Sequence, residues 1–251
     1  HAKYCQSRHA IARFGREVRL ARQLNHPGIV KIFDAQKWEN TLFYTMEYIE
    51  GKSLRAWLQQ RRALDLGSAV RVLCLVAEAL EHAHRVTIHR DLSPENIMVL
   101  RDGTIRLLDF GLAKIDDQYV GLTVVGTNLG KLRYMAPEQE RDAAAVDHRA
   151  DLFSMGVMFF ELLTGRSPLP GQRVTQVIPG LPPSADTFVA KAIARDPDER
   201  YADAREFREA LLAVYRDAQA AGPLPAGGPP PEKKEGALAR ILRKLRFWKK
   251  G

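Results

Sequence analysis

Residues 89–96 read HRDLSPEN, and this stretch decides what kind of fold the chain can adopt. It sets His89, Arg90, Asp91, Glu95 and Asn96 within eight residues, with Pro94 restricting the backbone between them. The run before it, SAVRVLCLVAEALEHAHR from Ser68, has helical apolar spacing. The run after it, IMVL-RDGT-IRLL at 97–108, has the pattern of a hairpin with Asp-Gly at the turn. The polar cluster is therefore expected on a loop between a long helix and a hairpin. Loops held by rigid elements are where chemically active side chains concentrate.

A second polar signal follows 18 residues beyond Asp91, where Asp109-Phe110-Gly111 closes the hairpin. Asn96 precedes one strand and Asp109 follows the other, so both are expected at the same end of it. Their amide and carboxylate oxygens are hard donors of the kind Mg²⁺ takes. Asp91 is then left to accept a proton from, or orient, an incoming hydroxyl. A general base, two metal-ligand positions and a divalent cation suit phosphoryl transfer, which depends on positioning and charge neutralisation.

The 251 residues are 45% hydrophobic and 27% charged, the balance of a soluble globular domain. The net charge of +8 is unevenly placed. From Glu232 to Gly251 there are eight Lys/Arg against two Glu, a net of +6, so the other 231 residues carry only +2. A near-neutral body argues against nucleic acid as a partner. Cys5 and Cys74 have neither metal-ligand nor disulfide spacing, and Cys74 in VLCLVAEAL reads as a buried reduced thiol, which points to a cytoplasmic chain. No secretory signal is present, and no apolar run reaches the roughly 18 residues of a membrane span.

Elsewhere, Ala10 to Leu24 is expected to be a helix stopped by NHPG, followed by strands GIVKIFDAQ and TLFYTMEYIE around a turn at Glu39 and Asn40. SLRAWLQQ and the helix from Ser68 each begin at a serine suited to capping. From Asp147 the pattern is helical, apart from a Pro/Gly-rich interruption between Gly165 and Pro183. The expected organisation is a domain over 1–217, a Pro/Gly-rich linker over 218–236 and a basic tail helix over 237–251.

With these residues in view, the chain resembles a protein kinase, and more closely the bacterial Ser/Thr kinases of eukaryotic-like type. HRDLSPEN, DFG and YMAPEQ stand in that family's order and spacing. FGREVRLARQLNHPGIV, MEYIEGKSL, DLFSMGV and ARDPDERY extend the likeness over about residues 10–215. It implies an α+β, bilobal fold, here mostly the helical large lobe with a partial small lobe of one helix and two strands. It implies ATP and Mg²⁺ as cofactors and a protein substrate offering a Ser or Thr hydroxyl. The alternative is a pseudokinase or regulatory scaffold, against which Asp91, Asn96 and Asp109 are all present.

The resemblance also assigns roles. Asp91 is the catalytic-loop base, and Asn96 and Asp109 hold the metal. Glu17 is the helix carboxylate that pairs with the ATP-anchoring lysine. Met46 takes the gatekeeper position, backbone groups of Glu47 and Ile49 meet the adenine, and Met98 packs beneath it. Glu138 and Arg200 form a structural ion pair, and Asp151 braces the catalytic loop. Arg90 beside Asp91 implies control by a phosphate in the activation segment, where Thr123 and Thr127 are either acceptors or ordinary loop threonines.

Three features depart from the family. No G-x-G-x-x-G lies upstream of Glu17, so a complete small lobe is not expected from this chain. Lys3, 14 residues before Glu17, is either the lysine that contacts the α/β-phosphates or a solvated residue. Ser93 occupies the place where most Ser/Thr kinases carry a lysine, while Lys131 occupies the usual threonine of the activation segment. Lys131 is expected to return the cation from the facing loop with Ser93 as its hydrogen-bonding partner; the alternative is a lysine facing solvent. Finally, the stretch before LPPSADTFVAKAI is short where the family places a further substrate-docking helix.

In the tail, Leu238, Ile241, Leu242, Leu245 and Trp248 share a helical face, with Arg240, Arg243, Lys244 and Lys249 mostly elsewhere. Such a basic amphipathic helix suits an anionic membrane surface or an acidic groove, the lead-in to a membrane span, or a helix folded onto the body.

Overall fold

Phe14, Val18 and Ala21 recur at helical spacing, and they form the buried face of α1 (Arg8–Arg22). The computed structural model describes residues 8–39, 41–110, 129–141 and 146–222. Lys3, Cys5, Gly111, Thr123, Thr127 and the expected linker and tail helix from 223 onward lie outside the described residues. After α1 come β1 (Ile32–Trp38) and β2 (Thr41–Met46), an antiparallel ribbon whose register shifts between Ile32 and Asp34. Glu39, in the connection, takes a left-handed φ of 49°.

A second sheet belongs to the large lobe. β3 (Gly51–Ser53) pairs with β4 (Ile97–Leu100), which pairs with β5 (Ile105–Leu107), all antiparallel. The β4–β5 hairpin matches the expected one, and Gly103 at φ 81° makes its turn. β3 is a strand too short and polar to announce itself. It requires Gly51, where an added Cβ would stand 2.7 Å from the Val99 carbonyl oxygen. The small lobe is tied to this sheet through the NHPG segment. The Val30 N–H donates to the Leu107 carbonyl at 3.0 Å, and the Leu107 N–H donates to the Gly28 carbonyl at 2.8 Å.

Ser53 caps α2 (Leu54–Arg61) as expected, its Oγ accepting from the Ala56 N–H at 3.2 Å. The start expected for the next helix needs correction. α3 (Leu66–Ala83) begins before Ser68, because Asp65 is its cap and accepts from the Ser68 N–H at 2.9 Å and the Ser68 hydroxyl at 2.6 Å. A carboxylate reaches the orphan N–H groups of the first turn, and Leu66 is buried there. Cys74 on α3 is half-buried, and burial pushes its thiol up to about 11, so it stays protonated at neutral pH.

The remainder is helical: α4 (Leu129–Leu132), α5 (Pro137–Arg141), α6 (Arg149–Thr164), α7 (Val174–Val177), α8 (Pro183–Ala192) and α9 (Ala204–Ala220). α7 is a single turn within the expected Pro/Gly-rich interruption, and α9 continues past the boundary expected at Asp217. α6 is apolar on all sides, hence buried along nearly its whole length, and it ends at Gly165 with φ 75°. Phe188 on α8 joins α6 to α9, with ring centroids 5.0 Å from Phe159 and 4.9 Å from Phe207, both edge-on. Among the described residues no helix is long and apolar enough to cross a membrane.

α6 meets the end of α8 at Gly156, where a Cβ would lie 2.6 Å from the Ala192 Cβ and 2.8 Å from the Ile193 Cγ2. Helix propensity favours alanine there by about 1 kcal/mol. The clash, above all with the Ala192 Cβ, which moves only with its backbone, costs about 1–3 kcal/mol. Gly156→Ala is accordingly expected to lower stability, read as a fall in the urea midpoint; a rise would mean that the helices separate freely.

Candidate active site

The site starts from a carboxylate removed from water. Asp151, in the first turn of α6, is fully buried and accepts from the His89 N–H at 2.9 Å and the Arg90 N–H at 2.8 Å. His84 Nε2 stands 2.8 Å from the same carboxylate. Burial alone would raise this carboxyl, but the bond from His84, the charges of His84 and His89 and the His89 N–H outweigh it and hold it below its ordinary 3.8. Arg90 is left-handed at φ 63°, a conformation worth about 1–2 kcal/mol against for an L-residue. Both of its backbone groups are held, the N–H by Asp151 and the carbonyl by Gln139 Nε2 at 2.9 Å. The loop is thus fixed from beneath by α6 and from the side by α5.

On that mount, Asn96 Nδ2 donates to the Asp91 carbonyl at 2.7 Å and to Asp91 Oδ2 at 2.9 Å. Lys131 Nζ, from α4, reaches the same Oδ2 at 2.9 Å. Lys131 therefore meets the loop as expected, but its partner is Asp91 rather than Ser93. Ser93 is buried at 1% exposure and its hydroxyl has no hydrogen-bond partner among the described residues. It precedes the 3₁₀ turn Pro94–Asn96, while the half-exposed ammonium of Lys131 meets the Asp91 carboxylate.

Asn96 and Asp109 share one end of the hairpin, as the Leu108 N–H donating to the Asn96 carbonyl at 2.9 Å requires. Asp109 is also left-handed, with φ 57°. Its Oδ1 accepts from the Tyr44 hydroxyl at 2.5 Å. The ring of Phe110, next in sequence and buried, lies 4.7 Å from that of His89, so the two polar motifs are packed against each other. With its side-chain N–H groups committed to Asp91, Asn96 has its side-chain Oδ1 left to offer, and Asp109 has Oδ2. One amide and one carboxylate are a fitting protein contribution to Mg²⁺, which keeps waters and takes phosphate oxygens for the rest.

The other expected positions lie on separate elements. Glu17 is half-buried on α1, and Met46 ends β2. The Glu47 N–H donates to the Lys31 carbonyl at 2.8 Å, while Ile49 is half-buried in the segment leading to β3. Met98 lies on β4, opposite Ser53 and Arg106. Arg200, buried at 3% exposure, donates two parallel hydrogen bonds to the Glu138 carboxylate, both at 2.7 Å, and one to the Ala194 carbonyl at 2.8 Å. It clamps α5 to the end of α8.

One junction escaped the sequence. Arg55 on α2 donates to Glu95 at 2.7 Å and to Glu161 at 2.9 Å, and also to the Tyr134 hydroxyl, which in turn donates to Glu161. Burial and the bond to Glu161 push the Tyr134 phenol up, so it remains a neutral donor. One guanidinium thus ties the catalytic loop, α6 and the segment carrying Lys131. The available signal was Glu161 itself, a lone acid inside the apolar run MFFELL, because buried charges are retained only with partners.

A model of the protein kinase domain matches residues 2–214. The chain belongs to the protein kinase family. It is 38% identical over 232 residues to the serine/threonine-protein kinase PknL of Mycobacterium tuberculosis, covering 86% of this chain and 58% of that protein. It is 33% identical over 230 residues to PrkC of Bacillus subtilis, covering 84% and 35% respectively. The kinase chain therefore spans from about a third to three-fifths of the length of these relatives. Among solved structures, the Mycobacterium tuberculosis PknI kinase domain superimposes with a TM-score of 0.68 at 27% identity, over 85% of this kinase and 83% of that chain.

Asp151 gives a test of the mount. Its folded carboxyl ionises below 3.8, so ionisation favours folding above that value and the contribution is lost as pH falls below it. An amide has one acceptor oxygen for two backbone donors. Asp151→Asn is expected to cost about 1–3 kcal/mol near neutral pH, and to remove this component of acid sensitivity. Urea unfolding from pH 7 down to pH 3 reads both effects; a variant as stable as wild type at pH 7 would dismiss the brace.

Proposed function

We propose that this domain is an ATP- and Mg²⁺-dependent protein kinase that phosphorylates Ser or Thr hydroxyls of protein substrates. The observation that carries the reading is Asp91 Oδ2, held at 2.9 Å by both Asn96 Nδ2 and Lys131 Nζ. Asp91 keeps its other carboxylate oxygen to receive an acceptor hydroxyl. In the reaction the hydroxyl oxygen bonds to the γ-phosphorus, the bond to the β–γ bridging oxygen breaks, and ADP leaves. The hydroxyl proton passes to Asp91 and then to solvent. Bound Mg²⁺ would neutralise the phosphate charge that develops, with Asn96 and Asp109 holding it.

Lys131 supplies the positive charge that the catalytic loop lacks at Ser93. It sits beside the base, at the place where negative charge passes from ATP to acceptor, and donors aimed there contribute most to such reactions. Met46, Glu47, Ile49 and Met98 would receive the adenine and Glu17 the ATP-anchoring lysine, for which the sequence offers Lys3, with a solvated residue as its alternative role. The names of the relatives support Ser and Thr as acceptors.

Asp91→Asn is expected to lower kcat by about 10²–10⁴-fold, and Lys131→Ala by about 10²–10³-fold, in a γ-phosphate transfer assay with full-length protein. Wild-type turnover no greater than that of Asp91→Asn would favour a scaffold. Near-normal activity in Lys131→Ala alone would dismiss only the relocated cation.

The domain reading extends to a tail helix over 237–251, proposed on its sequence to seat on an anionic membrane surface. Deleting residues 236–251 is expected to abolish co-sedimentation with phosphatidylserine vesicles at physiological salt; equal partitioning of both forms would end the proposal.

A further inference from the structure

Tyr44 and Asp109 stand 65 residues apart, yet the phenol donates to the carboxylate at 2.5 Å. Tyr44 lies in the middle of β2, and its ring centroid is 6.4 Å from that of Phe14. Phe14 is buried on α1, one helical turn before Glu17. A single side chain therefore touches α1 with its ring and the hairpin carboxylate with its hydroxyl.

Asp109 needs such a partner. Its φ of 57° is a strained conformation for an L-residue, and its carboxylate turns about two side-chain torsions just past the end of a short strand. The phenol takes Oδ1 and leaves Oδ2 for a cation, at the same end of the hairpin as Asn96. Hydrogen bonds to ligating carboxylates fix their orientation, and losing one typically weakens metal binding 10–100-fold.

We propose that Tyr44 is a positioning residue for a divalent cation at Asp109, and that it makes cation binding depend on the seating of α1. The inference rests on the reading of Asp109 as a metal ligand. When α1 packs inward, Phe14 holds the Tyr44 ring and the hydroxyl aims Asp109. When α1 moves away, the ring loses its support and the carboxylate loses its orientation.

The test uses full-length protein, Mn²⁺ as the probe and ADP present throughout, with bound Mn²⁺ read by electron paramagnetic resonance. Tyr44→Phe keeps the ring on Phe14 and removes only the hydroxyl. It is expected to weaken Mn²⁺ binding 10–100-fold, with the metal-free melting temperature little changed. Phe14→Leu is expected to weaken binding in the same direction, and the double variant to lose little more than Tyr44→Phe alone. Unchanged or tighter Mn²⁺ binding in Tyr44→Phe, with Asp109→Asn abolishing it, would overturn the role of Tyr44 and leave the metal site standing. Normal binding in Asp109→Asn would overturn both. Losses that add in the double variant, or none in Phe14→Leu, would overturn the coupling to α1.

Discussion

A single buried carboxylate organises the large lobe. Asp151 is removed from water by α6, and an ion in that position survives only if its oxygens are fully engaged. The donors it finds are the backbone N–H groups of His89 and Arg90 and the ring of His84. That choice turns a desolvation cost into a geometric constraint, because backbone donors cannot be satisfied without fixing the loop that carries them. The left-handed Arg90 follows from it, and so does the aim of Asp91 one residue later. Its position in the first turn of a helix adds the favourable end of the helix dipole.

The loop so fixed meets a second constraint from above. Lys131 and Asn96 converge on one oxygen of Asp91, and the junction of Arg55, Glu95, Tyr134 and Glu161 ties both sides of that meeting to α6. The ion pair between Lys131 and Asp91 is partly exposed and screened, so its worth lies in placement more than in stability. A loop with serine at position 93 meets the ammonium of Lys131 from another segment because the fold brings Lys131 and Asp91 within a hydrogen bond.

Much of this was legible in the sequence because the chemistry needs particular residue types at fixed intervals. HRDLSPEN and DFG located the loop and the hairpin, and the lysine and serine exchanged between positions 93 and 131 pointed to a cation supplied from across the cleft. The detail of that exchange was not legible. Ser93 as a partner for Lys131 assumed that both side chains face the same space, whereas Ser93 is buried without a partner among the described residues and Lys131 pairs with Asp91. The Asp65 cap was missed because a serine three residues later offered an equally good local signal, and β3 because three residues have no periodicity.

By itself the sequence determined the longer helices, the hairpin, the family and the chemical character expected of the site, all of which follow from local periodicity and from motifs whose spacing is set by the chain. Only the tertiary structure decided which oxygen each donor takes. The contact of Tyr44 with Asp109 and the Arg55 junction join residues from distant elements, and both depend on side-chain directions that close packing sets. Apolar periodicity says which face of a helix or strand is buried; it does not say what a polar group will meet there, because that depends on elements folded from elsewhere in the chain.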